Sequence, residues 1–324
     1  MSSKKSIDFK VEGIGQILSE RGLHVPLYQR PYAWEMKHVK DLFTDLKSSL
    51  SEKADEYFLG TLVILDDGKR REVVDGQQRL ATTIILISAI RDYFREKDDP
   101  ERANDVQKEY LLSKEFRTRE TLPNLSLGKI DHDFFQQYVL EPKTVGERKK
   151  IAVFRESHKK LRAAALEARK FISSITSSEK EPFEILSDWL EFLGGKARII
   201  RVTVPDTANA FTIFETLNDR GLDLAISDLL KNFIFKKSGD RLEEAEQRWV
   251  EMLGVLAAVD AESKVVEFIR HVWASQYGLI REKVLYDNIK RKTTSKQAAI
   301  DLVNLLSNSA KTYAAILNQN HELW

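Results

Sequence analysis

The stretch Val73-Val74-Asp75-Gly76-Gln77-Gln78-Arg79-Leu80 gathers side chains that can do phosphate chemistry. β-branched residues, then Asp-Gly, then a helical pattern describe a strand that passes through a glycine into a helix. The first N–H groups of a helix have no internal partner and its dipole is positive there, so phosphate is favoured at that point. Arg79 adds a two-pronged clamp for phosphate oxygens. Asp75 at the strand end suits a magnesium ion or an oriented water. Gln77 or Gln78 suits the positioning of a nucleophilic water, as glutamine does in other nucleotide hydrolases. The same residues also fit a plain helix start with a buried Arg79–Asp75 pair, and both readings stand at this point.

Two further segments carry polar groups in suggestive places. In Val25-Pro26-Leu27-Tyr28-Gln29-Arg30-Pro31-Tyr32-Ala33-Trp34, three aromatics and an arginine crowd into a proline-stiffened stretch, and Pro26 and Pro31 bracket a segment expected to be extended. Such a stretch can stack a base and grip a phosphate, which makes Tyr28, Gln29, Arg30 and Tyr32 candidates for contact with DNA. Trp34 reads more simply as an anchor on the core. The third segment runs from Phe211 to Leu224 and on to Asp228, Lys231 and Asn232, two helices meeting at a glycine turn. Asn218 and Arg220, at a helix C-terminus, suggest a ligand contact or a clasp between domains, while Phe211, Phe214 and Leu217 read as core.

Several chemistries are excluded. The 324 residues contain no Cys, so thiol redox, iron–sulfur and Cys-type zinc sites are absent. No Walker A motif occurs, since Gly194-Gly195-Lys196 lacks the spaced glycine before it and the Ser or Thr after it. HNH, catalytic-triad and zinc-protease patterns are missing, and the cluster Asp131-His132-Asp133 reads as an acidic helix start. With 51 basic and 50 acidic residues the net charge is only +1, so any surface for nucleic acid must be local. The apolar run Ile84 to Ile90 is interrupted by Ser88 and far shorter than the ~20 residues of a membrane span. The N-terminus lacks a signal-peptide pattern, and a cytoplasmic protein with no membrane partner is expected.

The elements that must position these residues follow from periodicity. Glu35–Leu50 repeats apolar residues at helical spacing, and Thr61–Leu65 with Glu72–Val74 makes a hairpin across Asp66-Asp67-Gly68. A helix from Gln77 to Phe94 is apolar on most faces and so should be buried. After a polar region from Asp98 to Pro123, which reads as an insertion or lid, helices are expected over Asp131–Leu140, Val145–Ser173 and Glu181–Leu193, with Gly194-Gly195 breaking the chain. Ala197–Val204 is a strand expected to join the early ones, and Asp206 caps a helix running to Asn218 and ended by Gly221. Everything from Ile226 onward reads as helix. The chain is expected to be part of a longer protein.

Four motifs in order resemble one family. Tyr28-Gln29-Arg30-Pro31-Tyr32-x-Trp34, Tyr57-Phe58-Leu59-Gly60, Asp75-Gly76-Gln77-Gln78-Arg79-Leu80 and Phe214-x-x-Leu217-Asn218-x-Arg220-Gly221 are similar to the N-terminal domain of GmrSD-type restriction enzymes, across about residues 10 to 280. The resemblance implies an α+β fold: a small ParB/sulfiredoxin-like mixed sheet over residues 1–100, completed by the strand near 197–204, beside a mostly helical region over 101–324. It implies binding and hydrolysis of nucleoside triphosphates in anti-phage defence, with Asp75, Gln77, Gln78 and Arg79 as catalytic residues. Mg2+ or a similar divalent cation would sit on Asp75, and Gly76, Thr82, Gln29, Arg30, Asn218 and Arg220 would contact nucleotide. Foreign or modified DNA and an HNH-type nuclease domain, C-terminal or on another chain, are the implied partners, and self-association is open. Two departures are Ala81, where relatives have Thr, and Ala225, where they have a capping Ser or Thr. The competing expectation is a non-catalytic sensor of DNA or protein that uses nucleotide only as an allosteric ligand.

Overall fold

The computed structural model describes residues 7–52, 54–66, 68, 70–115, 119–177, 181–206, 210, 226–259, 261 and 264–318. They fall into two units: Met1–Pro26 with Pro31–Pro205, and Leu27–Arg30 with Asp206–Trp324.

The first unit is built on a six-stranded mixed sheet with strand order β1-β8-β3-β4-β2-β7. Its strands are β1 (Asp8–Gly13), β2 (Leu23–His24), β3 (Tyr57–Asp66), β4 (Arg71–Asp75), β7 (Leu125–Ser126) and β8 (Ala197–Val204), while β5 (Leu112–Lys114) and β6 (Thr121–Pro123) form a separate antiparallel pair. β3 and β4 make the antiparallel hairpin expected from the turn residues between them. β8 enters between β1 and β3, antiparallel to the first and parallel to the second. Alternation of Ile199, Val202 and Val204 with more exposed residues is not strict here because β8 is an interior strand. The expected α+β class is therefore observed, with helices α1 (Ile14–Ser19), α2 (Met36–Ser51), α3 (Gln77–Glu96), α4 (Pro100–Val106), α5 (Lys129–Phe135), α6 (Val145–Lys149), α7 (Glu156–Ile175) and α8 (Pro182–Glu191) around the sheet.

Helix α3 is the axis of this unit. Leu80, Ile84, Ile85, Leu86, Ile87 and Ile90 are all fully buried, so residues on every side of the helix meet protein. At about 1.5–3 kcal/mol for each such side chain, this helix is a major source of the unit's stability. α4 and α7 both pack on it. Deep in the same core lies Arg91, whose guanidinium donates to Leu140 O (2.6 Å) and Val139 O (3.0 Å). Those carbonyls end a wide turn, Gln136–Leu140, that continues α5. Arg91 thereby satisfies helix-end acceptors that would otherwise be buried unpaired.

The structure corrects four expectations. The helix expected over Val145–Ser173 is two helices, α6 and α7, separated by residues 150–155. Thr144 and Glu147 form a capping box that starts α6. The break lets Arg148 turn inward toward Asp92, while α7 restarts with Ser157 and His158 facing Asp131. Gly194 and Gly195 do not break the chain but lie inside a wide turn, Phe192–Lys196, that extends α8. The residues that must be glycine at this contact are Gly13 and Gly15: a Cβ on Gly13 would overlap the Gly194 carbonyl and one on Gly15 would lie 3.0 Å from Gly194 Cα, whereas a Cβ on Gly194 or Gly195 would meet nothing within 4 Å. The Pro26–Pro31 segment is not extended throughout, because Leu27 and Tyr28 form a turn. Finally, the helices after residue 100 share one hydrophobic cluster with the sheet, so the chain divides at Pro205 rather than near residue 100.

The second unit is helical: α9 (Ile226–Ser238), α10 (Leu242–Ala257), α11 (Val265–Tyr277), α12 (Leu285–Lys292) and α13 (Lys296–Leu317). α10 and α9 pack along α13, and Phe235 meets Trp249 edge to face with ring centroids 6.1 Å apart. Of the helix expected from Asp206 to Asn218, Asp206 and Ala210 are the described residues, and the rest lies outside them. Among the described residues, no helix is long and apolar enough to cross a membrane.

Gly13→Ala forces backbone against backbone where neither side can rotate away. The expected result is a loss of about 3 kcal/mol or more, as for other severe core strain. It is read as a lowered urea midpoint of the first unit's unfolding; an unchanged midpoint would show that the β1–α1 corner moves freely.

Candidate functional site

The strand-to-helix turn expected at Asp75–Arg79 is present, and each of its parts has a local cause. Gly76 sits in the left-handed region with φ 91° and ψ 4°. An L-residue would lose about 1–2 kcal/mol there. A Cβ would also come 2.8 Å from Leu62 Cδ1. Glycine thus lets β4 end at Asp75 and α3 begin at Gln77. No side chain caps this helix and its first turn holds no acidic residue. The positive end of a helix of 20 residues therefore carries no neutralising charge of its own.

Arg79 is fixed at the rim of that helix end. Its Nη1 donates to Thr61 O at 3.1 Å. Its Nη2 lies against Gly60, where φ is 104° and a Cβ would stand 3.2 Å from it. The register of β3 against β8 shifts between Phe58 and Thr61, so the Tyr57–Gly60 motif makes an irregular stretch that leaves room for the guanidinium. Burial lowers the Arg79 pKa from its ordinary value, and the charges of Asp75 and Tyr57 oppose that shift. The group remains a cation at neutral pH. Asp75 and Arg79 feel each other's charge, yet the hydrogen bond of Arg79 goes to backbone, so the simple buried pair is not what holds it.

Gln78 has a different task from Gln77. Its Oε1 accepts from Ala33 N (2.9 Å) and from Trp34 N (3.4 Å), while its Nε2 donates to Pro31 O (3.2 Å). The amide is a clamp on the Pro31–Trp34 backbone. One turn further along α3, the Thr82 hydroxyl donates to Gln78 O (2.8 Å) and meets the Tyr32 hydroxyl at 2.8 Å. Thr82 and Tyr32 are both buried, so this pair supports the segment from within. Burial raises the Tyr32 pKa well above the tyrosine range.

Asp131 holds the segment from its other side. Its Oδ2 accepts from Tyr32 N at 2.6 Å and its Oδ1 from the Ser157 hydroxyl at 2.6 Å. Burial raises the Asp131 pKa, against the lowering effect of these two bonds and of His158 and Arg155. Sequence reading took Asp131 as a helix-start acid and did not find this role. Its partner lies 99 residues away, a separation that leaves no local signal.

The candidates are distributed between the two units. Asp75, Gly76, Gln77, Gln78, Arg79, Thr82 and Tyr32 belong to the first, and Tyr28, Gln29 and Arg30 to the second. There Tyr28 packs edge to face on Phe235 (5.2 Å), Gln29 Oε1 accepts from Lys231 Nζ (2.8 Å), and Arg30 Nε lies 3.2 Å from Asp228 Oδ2. The turn between the two prolines is thus tied to α9. Asn218 and Arg220 lie outside the described residues.

Among the described residues, no group of three or more His, Asp or Glu side chains could cage a metal ion. Asp75 is the one carboxylate between Val73 and Leu80. A single carboxylate matches magnesium that arrives with phosphates, since that ion keeps few protein ligands in nucleotide sites.

Residues 14–235 match the family described as the GmrSD restriction endonuclease, N-terminal domain, and the chain belongs to that family. No curated protein matches it. Membership makes the chain a component of a restriction system, part of an endonuclease that acts on DNA with a nuclease domain as partner. The matched span takes in nearly all of the first unit and reaches α9 of the second.

Two outcomes test this wiring. Gln78→Ala leaves two half-buried N–H groups and a half-buried carbonyl without their partner, at about 1 kcal/mol, the low end of the range for a buried polar group left unpaired. It should lower the thermal midpoint and speed hydrogen exchange at Ala33 and Trp34, whereas unchanged exchange there would remove the clamp. Asp131 gives a pH dependence of definite sign. Its folded pKa is raised above the unfolded value of about 3.9, so the folded state binds the proton more tightly. Its contribution is full below that unfolded value and is lost as pH rises through the folded one. The difference in urea midpoint between wild type and Asp131→Asn should therefore move in favour of Asp131→Asn with rising pH.

Proposed function

We propose that the first unit binds a nucleoside triphosphate at the start of α3 and hydrolyses it, as the sensing component of a restriction enzyme that recognises foreign or modified DNA. One observation carries this reading: the uncapped, acid-free N-terminus of a long buried helix has a guanidinium, Arg79, fixed at its rim. Backbone N–H groups of the first turn and Arg79 hold the phosphate chain. Asp75 binds magnesium carried by the nucleotide, or a water. Such an ion neutralises charge on the phosphate oxygens. Gln77, buried at the helix start, orients the water that attacks the terminal phosphorus as the bond to the leaving diphosphate breaks. Gln78 keeps the Pro31–Trp34 segment in place and does not meet the water. Arg30, half-exposed, contacts DNA, whereas Tyr28, Gln29 and Tyr32 are buried and support the segment from within, which corrects their expected part in DNA contact; Asn218 and Arg220 are further candidates for nucleotide contact.

One observation favours a second reading, a sensor that binds nucleotide without turnover. The Gln78 amide is committed to backbone, which leaves one glutamine in the turn for water. Phosphate release from each of the four ribonucleoside triphosphates, with magnesium and with or without DNA, separates the two. Turnover that falls about a hundredfold or more in Arg79→Ala is expected for a hydrolase relying on this clamp. A folded Arg79→Ala protein hydrolysing at the wild-type rate overturns the assignment. Binding without release of phosphate establishes the sensor.

A further inference from the structure

A second concentration of positive charge lies elsewhere in the first unit, where α3, α6 and α7 meet. Asp92 on α3 is buried and faces three guanidiniums. Its Oδ1 accepts from Arg91 Nε (2.9 Å), and its Oδ2 lies 2.6 Å from Arg148 Nη1 and 3.4 Å from Arg169 Nη1. Arg91 is fully buried and Arg148 nearly so. Arg169 has a second carboxylate, Glu96. Burial and the neighbouring charges of Arg148 and Arg95 push the Arg91 pKa down to about 10, against the pull of Asp92.

A cavity of about 290 Å³ opens beside this cluster. Arg148, Lys149, Arg162 and Arg169 reach its wall, with Asp92 as the acidic residue among the lining side chains. The Lys149 and Arg162 side chains are exposed and make no hydrogen bond or ion pair with any described residue. Other acids nearby are engaged: Glu141 pairs with Lys143, Glu147 bonds to Thr144, and Glu167 pairs with Lys40. Counting Arg91 behind the wall, five cations thus answer to two carboxylates, Asp92 and Glu96.

Such an excess in a half-enclosed place is costly unless an anion completes it. Guanidinium forks match phosphate oxygens, and the Tyr138 side chain shares the wall, close enough to feel the charges of Arg148, Arg162 and Arg169. Ala89, Ala165 and Leu166 add an apolar side on which a ring can rest. The volume stands at the lower end of the range for small-molecule sites. We propose that this cavity binds a phosphate monoester no larger than a mononucleotide, separately from the turn at Gly76. The site is placed to regulate: its floor is α3, the helix whose first turn carries Gln77, Gln78 and Arg79.

Calorimetric titration of the full chain with adenosine 5′-monophosphate, and with inorganic phosphate, tests the site in three proteins: wild type, Arg79→Ala and the double variant Lys149→Glu/Arg162→Glu. The last two changes are at exposed side chains, and an unaltered thermal midpoint checks that they leave the fold intact. Saturable binding of the monophosphate to wild type and Arg79→Ala alike, weakened about tenfold or more in the double variant, is the expected result. Competition by inorganic phosphate locates recognition at the phosphate rather than the ring. The proposal is overturned if wild type shows no saturable binding, or if the double variant binds as well as wild type. Loss in Arg79→Ala with retention in the double variant moves the ligand to the turn and also overturns it. Duplex DNA bound through Lys149 and Arg162 without any monophosphate binding identifies a backbone contact instead, and overturns it likewise. None of these outcomes depends on nucleotide hydrolysis.

Discussion

The candidate site depends on one side-chain amide, that of Gln78, used in both directions at once. Its oxygen takes the N–H groups of Ala33 and Trp34 while its nitrogen reaches Pro31 O, so a stretch without secondary structure of its own is pinned to the first turn of α3. Backbone groups buried without a partner cost more than a formed hydrogen bond returns. The clamp therefore sets where Pro31–Trp34 can lie as well as holding it. Thr82 below and Asp131 behind fix the remaining freedom through Tyr32, one at its hydroxyl and one at its N–H. The turn at Gly76 consequently meets a preset surface, which is what recognition of a phosphate chain needs.

Glycine does the complementary work by leaving space. Gly76 lets strand pass into helix within one residue, and Gly60 lets the Arg79 guanidinium lie against β3. Gly13 and Gly15 let the β1–α1 corner meet Gly194. In each case a methyl group would push against backbone or against a buried side chain. The two halves of the motif set, Tyr57–Gly60 and Asp75–Leu80, are thus one device. The first makes the cradle into which the second places its arginine.

Much of this was legible in the sequence wherever the signal was local. The β3–β4 hairpin, the passage through Gly76 and the all-round burial of α3 came from turn residues and apolar spacing, and all are present. What escaped was set by contacts distant in sequence. The break between α6 and α7 serves Arg148 and Ser157, whose partners Asp92 and Asp131 lie on other helices. Gly194-Gly195 read as a stop because glycine usually ends helices, yet here both lie inside the wide turn that extends α8, and its backbone is what Gly13 and Gly15 pack against. Gln78 and Gln77 looked equivalent in the sequence. Only the position of Pro31–Trp34 separates a clamp from a residue that can serve chemistry.

Two arginines of the first unit, Arg91 and Arg79, obey one rule with different results. At Arg91 the guanidinium ends on the backbone carbonyls of Val139, Leu140 and Glu141, the Gln107 side-chain oxygen and the Asp92 carboxylate, and its charge closes off helix ends inside the core. At Arg79 one nitrogen is held by Thr61 O, and the helix beside it has no side-chain cap and no acid in its first turn, Asp75 at the end of β4 being the carboxylate whose charge reaches the guanidinium. A buried cation whose donors are all used is structural, and its removal is felt as lost stability. A cation fixed by part of its donor set, next to a dipole of the same sign, keeps an unmet demand for negative charge. That demand, rather than the presence of arginine, is what the proposed phosphate site at the start of α3 rests on.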